Sequence, residues 1–222
     1  MSGDRDASST NHRGVGAELA VWPGGAWETP LRTVPVDEGL TKAVLEIPET
    51  EPDTAAHDPE HSGEMQLPLL KFRQPALRIA VVAVGTQRRE KLARFGEGLA
   101  DLVRREREAG RGVLIAATTD LNHYEDQKTT ERKDKIAIDR IVALDVKGLH
   151  EAVAKHGISM CGLGPTTAMI NAVRALGATK AELVLHRTSG DVTGGNYDQV
   201  VGYPAIVVRP PGNRPEAIGI RQ

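Results

Sequence analysis

A single cysteine, Cys161, is all that this 222-residue sequence contains. That rules out an internal disulfide framework and any paired-cysteine redox or zinc-ribbon motif. A lone thiol suits a reducing, cytoplasmic compartment. Aromatic residues are equally scarce at 3%, so the core has to rest on Val, Leu, Ile and Ala. Charge of one sign is missing as well. A formal net charge of -2 leaves no electrostatic footprint for nucleic acid or for an anionic membrane surface. No apolar run approaches the ~20 residues of a membrane span. The opening MSGDRDASST has no apolar core of the kind a secretory signal needs. What these absences leave as partners is a small molecule or a peptide, and self-association into a homo-oligomer.

What is present reads as one α/β domain, a length that can bury a core without disulfide or metal staples. Residues 1–10 are expected to be a disordered N-terminus, 11–208 the domain, and 209–222 a proline-rich tail. EIPETEPDTAAHDPEH (46–61) is acidic and broken by proline, as in an exposed loop. RIAVVAV (78–84) and GVLIAAT (112–118) are short apolar runs, the pattern of strands buried on both faces. Between them Leu92, Phe95, Leu99, Leu102 and Val103 recur at helical spacing, giving strand, helix, strand with a parallel crossover. Ile136, Ile141, Val142 and Leu144 mark a second helix, Leu149 and Val153 a third. Pro165 stands in the first turn of another, which Gly177 closes and whose buried stripe is Met169, Ile170, Val173 and Leu176. Segments 181–187 and 200–208 are further strands, and ELAVWPGGAWETPLRTVPVD is an irregular hairpin. The expected architecture is a layered α/β/α sandwich around a mainly parallel or mixed sheet.

The chemistry-bearing residues gather where these runs end. TTDLNHY places Asp120 and His123 at the carboxyl end of 112–118, the edge at which open α/β sheets bind ligands. A carboxylate three residues from an imidazole can orient the ring, share a proton or flank a metal; it can equally cap a turn. Cys161, in HGISMCGLGPTT, precedes the start of the Pro165 helix, where N–H groups and the helix dipole favour a thiolate. Burial as a small apolar side chain is the other reading. In EHSGEMQLP, His61 and Glu64 fall within a turn of one another if a helix begins near Ser62, with Ser62 as its cap. HRTSGDVTGGNYD carries Ser189 and Asp191 in a glycine-rich loop. A Ser189–His123–Asp120 triad lacks the nucleophile-elbow motif that would support it.

Taken in order, NHRG, WPGGAWETPL, EHSGEMQLP, TTDLNHY, GISMCGLGP and TSGD followed by VVGYPAIVV resemble the Memo family, in particular the prokaryotic branch called AmmeMemoRadiSam system protein B. The resemblance spans roughly residues 11–208. It implies a fold similar to that of the class III extradiol dioxygenases (LigB-like), with a metal at the carboxyl edge of the sheet held by two histidines and one cysteine. His12 matches the second of those histidines and Cys161 the cysteine. Asp120, His123 and His61 match polar residues lining the same pocket. Iron or copper is the implied metal, with zinc a third choice, since nitrogen and thiolate donors suit soft or borderline ions. The first metal histidine of the family lies in a PHAGY-like motif that this sequence does not contain. The expectation is therefore a family member truncated at its N-terminal βα portion.

The function implied is metal-dependent redox chemistry of the dioxygenase kind, with His123 and Asp120 as catalytic residues that move protons. A non-catalytic scaffold holding a metal or an acidic peptide is the alternative, with GLGPTT as an anion cradle. A third reading is a hydrolase using Cys161 as nucleophile and His123 as base.

Overall fold

The computed structural model describes residues 14–209 apart from Pro59. The chain is mixed α/β, with three small sheets held by helices. The first sheet joins β1 (Leu19–Val21), β4 (Glu51–Pro52) and β5 (Val82–Val84) in the order β4-β1-β5, parallel on one side and antiparallel on the other. A two-stranded hairpin pairs β2 (Ala26–Trp27) with β3 (Val34–Pro35), in keeping with the irregular hairpin expected there. The third sheet is antiparallel, in the order β6-β8-β7, with β6 at His123–Glu125, β7 at Glu182–Thr188 and β8 at Val200–Val207.

The helices follow the apolar spacing closely, and their ends follow local chemistry. After α1 (Glu38–Leu45) and α2 (Leu67–Arg73) comes the long α3 (Arg89–Glu108), which buries Leu92, Phe95, Leu102 and Val103. Asp126 caps α4 (Gln127–Val142) by accepting from Thr129 N at 3.0 Å. Asp145 caps α5 (Val146–His156) through Gly148 N at 2.9 Å. Such caps satisfy orphan N–H groups and each contributes about 1 kcal/mol. Gly157, at φ 57°, ends α5 in the left-handed conformation that glycine adopts without penalty. α6 (Leu163–Ala175) has Pro165 in its first turn, and α7 (Ser189–Thr193) is a single short turn.

α6 ties two cores together. Ala168 belongs to a cluster with Leu19, Val21, Val84, Leu92 and Phe95, while Ile170 belongs to one with Leu121, Ile138, Ile141, Leu149 and Met160. Each fully buried Leu, Ile or Phe contributes about 1.5–3 kcal/mol. α6 is therefore buried more widely than the expected stripe: Ile170 is fully covered, Met169 and Val173 only partly, and Thr166, Thr167 and Ala172 are buried instead. It packs on α3 so closely that a Cβ on Gly96 would stand 2.5 Å from the Ala168 carbonyl oxygen.

Two other expectations change. Segment 46–61 is not simply an exposed loop, because it carries β4 and buries Ile47, Ala56 and His57. Residues 112–118, expected to be a strand, form none among the described residues: no backbone hydrogen bond joins them to another described residue. The run 78–84 forms a ladder only over Val82–Val84, with Ile79 bridging Val36. Among the described residues, no helix is long and apolar enough to cross a membrane.

Candidate metal centre

Residues 119–125 and 159–162 meet end to end at the N-terminus of α6. Thr119 Oγ1 donates to the Asp120 carbonyl at 2.6 Å and accepts from Gly162 N at 3.0 Å. Asp120 N donates to Cys161 Sγ at 3.2 Å. His123 N donates to Ser159 Oγ at 2.7 Å. These bonds clamp the TTDLNHY and SMCG segments together although 41 residues separate Asp120 from Cys161.

The clamp works because there is glycine beneath it. A Cβ on Gly162 would run into the Thr118 carbonyl and the Thr119 side chain, and one on Gly164 would lie 2.6 Å from the Thr86 carbonyl oxygen. The start of α6 is thus filled by neighbouring backbone.

Asp120, His123 and Cys161 come together as a group whose donor atoms all lie within 4.8 Å of one another. Cys161 is 7% exposed. His123 Nε2 stands 3.8 Å from Asp120 Oδ2, and the two side chains are 17% and 45% exposed. His123 Nδ1 is buried with no hydrogen-bond partner. A buried ring nitrogen left unsatisfied costs on the order of 1–3 kcal/mol unless something binds it. The group therefore has a closed side at Cys161, an unsatisfied nitrogen at His123 and a solvent-facing carboxylate at Asp120. Sulfur, nitrogen and oxygen donors of this kind fit a borderline transition metal.

The thiol itself does not follow expectation. Burial pushes the Cys161 pKa upward; the Asp120 N–H opposes this, and the Asp120 charge adds to it. The helix start does not outweigh desolvation, because Cys161 sits ahead of the cap residue Gly162 and its sulfur faces protein.

Backbone strain aims the imidazole. Tyr124 adopts φ 60° in a bulge where β6 meets β8, a conformation that costs a non-glycine residue about 1–2 kcal/mol. Bulges re-aim side chains, and here Tyr124 is left 72% exposed while the preceding His123 turns inward.

Behind the group lies a buried polar network that sequence reasoning missed. Asp134 is fully buried; its Oδ1 accepts from Asn122 N at 2.8 Å and its Oδ2 lies 2.7 Å from His186 Nε2. Asn122 Oδ1 accepts from Ser159 N and Oγ, both at 3.3 Å, and its amide donates to Glu125 Oε2 at 2.6 Å. Lys133, 2.6 Å from Glu125, holds that carboxyl below its usual range, aided by Asn122. Asn122 and Ser159 sit within the quoted TTDLNHY and GISMCG stretches. The pairing of Asp134 with His186, 52 residues apart, has no sequence signal. Tyr203, in VVGYPAIVV, also escaped notice; burial raises its phenol, and the Asp120 charge adds to the shift.

The remaining candidates sit elsewhere. His61 is 64% exposed with Nδ1 3.8 Å from Glu60 Oε1. Glu64 opens a 3-10 turn at Glu64–Gln66; the expected Ser62 cap does not form, and Glu60 instead accepts from the N–H groups of His61 and Ser62. Ser189 Oγ accepts from Val201 N at 3.1 Å. Asp191 closes a capping box with Thr188 and accepts from Gln127 at 3.0 Å. His12 lies outside the described residues. His57, half enclosed by Trp22 and Trp27 and bonded to the Ala20 carbonyl at 3.0 Å, has its pKa lowered by burial.

Comparison with known proteins gives the family. A family model described as Memo-like protein matches residues 9–207. A MEMO1 family protein of Methanopyrus kandleri is 41% identical over 201 residues, covering 90% of this chain and 70% of that protein. One from Thermotoga maritima is 40% identical over 199 residues, with 89% and 69% covered. One from Methanocaldococcus jannaschii is 38% identical over 203 residues, again with 89% and 69% covered.

Proposed function

This chain belongs to the Memo-like protein family, and from that premise we propose that it is a metal-binding protein whose centre is Asp120, His123 and Cys161, with redox chemistry of the dioxygenase kind as its activity. The observation that carries the reading is the buried, partnerless His123 Nδ1 beside a thiol and a carboxylate. Iron or copper is the metal proposed, with zinc the redox-silent alternative. Such an ion would supply Lewis acidity and, for iron or copper, electron transfer at a bound substrate. The protein's own part is to present sulfur and imidazole from a closed side and to leave Asp120, beside the protonated Tyr203 phenol, facing solvent to exchange a proton with a small-molecule or peptide ligand. A reducing cytoplasm suits a centre that depends on a single free thiol. The layered sandwich belongs to the same proposal, with α3 and α6 as one layer against the strands.

Nucleophilic hydrolysis by Cys161 is disfavoured by the same geometry, because burial keeps the thiol protonated near neutral pH. The test is metal content of the purified chain by mass spectrometry, beside Cys161→Ala and His123→Ala. Near-stoichiometric iron, copper or zinc in the wild type, reduced at least tenfold in both variants, is the expected result. A folded wild-type protein that takes up none of the three when they are added overturns the reading.

A further inference from the structure

β7 is an edge strand: it pairs with β8 along one side, and among the described residues no strand pairs with the other. Native edges are blunted by charge, proline, a bulge or covering chain, because their free N–H and C=O groups template further pairing. The middle of β7 carries neither charge nor proline. Leu183, Val184 and Leu185 stand there, 40%, 45% and 49% exposed. The charges lie at the ends, with Glu182 at the start and Arg187 near the finish. A bulge is present, and it decides which faces these residues share. Leu183 lies opposite Ile206 and Leu185 opposite Ala205, so Val184 is an extra residue in β7. The spacing of Glu182 and Arg187 is odd, which in a regular strand puts two side chains on opposite faces. The extra residue restores them to one face, opposite Val207 and Tyr203, both of them exposed. Leu183 and His186, opposite Ile206 and Pro204, share the other face. Glu182 is ion-paired with Arg209, and Arg187 donates to the His186 carbonyl at 3.1 Å; both side chains belong to exposed residues.

We propose that β7 pairs antiparallel with β7 of a second copy of this chain, about a two-fold axis through the bulge. In that register Glu182 faces Arg187 of the copy, Leu183 faces His186 and Val184 faces Leu185. Each pair forms twice, and the two members of each share a face only because both strands carry the bulge. The edge is thus complementary to itself, as a two-fold interface requires. Charge selects the direction: a parallel pairing in register would set Glu182 beside Glu182 and Arg187 beside Arg187, and like charges directly opposite one another destabilise a sheet. Backbone pairing and cover for the three apolar side chains supply the affinity. The two three-stranded sheets become one, with β7 of each copy at its centre. β6, which carries His123, is at the opposite edge of each half, so the surface is separate from the Asp120, His123 and Cys161 group and does not rest on the metal reading.

The test is sedimentation equilibrium of the full chain over a hundredfold range of concentration, with amide hydrogen exchange followed at 182–187. A monomer–dimer equilibrium is expected, with exchange at 182–187 slowing at least tenfold as the dimer forms. Glu182→Arg and Arg187→Glu each set like charges face to face, twice per dimer, and each should weaken association at least tenfold. The double variant Glu182→Arg/Arg187→Glu exchanges the two signs and should restore it to within about threefold of the wild type. Both sites are exposed, so all three variants should keep the melting temperature of the dilute wild-type chain. A monomer at every concentration overturns the proposal. So does a dimer that neither single reversal weakens, which uses another face, and so does a double variant as weak as the single ones. Protection of 182–187 in the dilute monomer also overturns it, because the edge is then covered by the chain's own residues.

Discussion

Asp134 with His186 and Asp120 with His123 are both carboxylate–imidazole pairs, joined through Asn122, and they differ in slack. The first pair is 2.7 Å apart with its carboxylate fully buried and both oxygens engaged. The second is 3.8 Å apart, its carboxylate is 45% exposed and a ring nitrogen is unsatisfied. A saturated buried pair can only hold structure, because any newcomer must first break a bond in a low dielectric. A slack pair with an unpartnered ring nitrogen is where an ion can bind.

The largest expected effect separates the two pairs. Asp134→Ala strands His186 Nε2 and Asn122 N in the interior and should destabilise by about 3 kcal/mol, whereas Asp120→Ala should change stability by less than about 1 kcal/mol. Urea denaturation of the two variants side by side checks this, and equal losses would erase the distinction. Next comes Ser159→Ala. It removes the acceptor of the His123 N–H, and loss of such a supporting contact should weaken metal retention about tenfold with little change in stability. Undiminished metal binding would mean that the bulge alone orients the ring.

A smaller change is expected from Tyr124→Gly, which relieves the left-handed strain at an exposed position. It should stabilise the apo chain by about 1 kcal/mol while loosening His123; a loss of stability would show that the Tyr124 ring, 5.6 Å from His123, contributes more than its strain costs. The smallest effect is on pH dependence. Because burial raises the Cys161 pKa, the folded chain holds that proton more tightly than the unfolded one. The contribution is fully present below the ordinary thiol range and is lost as pH rises through the folded value. Stability of the wild type should therefore fall more steeply with alkaline pH than that of Cys161→Ala. Identical slopes would remove burial as the cause.

Much of the fold was legible beforehand. α3, α4, α5 and α6 lie where the apolar spacing put them, because a helix satisfies its own backbone and needs only a face to bury. The DxxH pair was legible as well, being set by three residues of local chain. Segment 112–118 marks the limit: its composition is that of a buried strand, but a ladder needs a neighbour, and no described segment pairs with it. The same limit hid Asp134 and His186, whose pairing depends on how α4 meets β7.

By itself, then, the sequence determined the four main helices, α3 to α6, the family and the residues from which a metal centre can be drawn, all consequences of periodicity and ordered motifs. Only the tertiary structure decided that Cys161 lies against Asp120, that its thiol is held protonated, and that one histidine–carboxylate pair is locked while the other is open. Those outcomes turn on desolvation and on contacts between segments tens of residues apart, and both are properties of packing rather than of local chain.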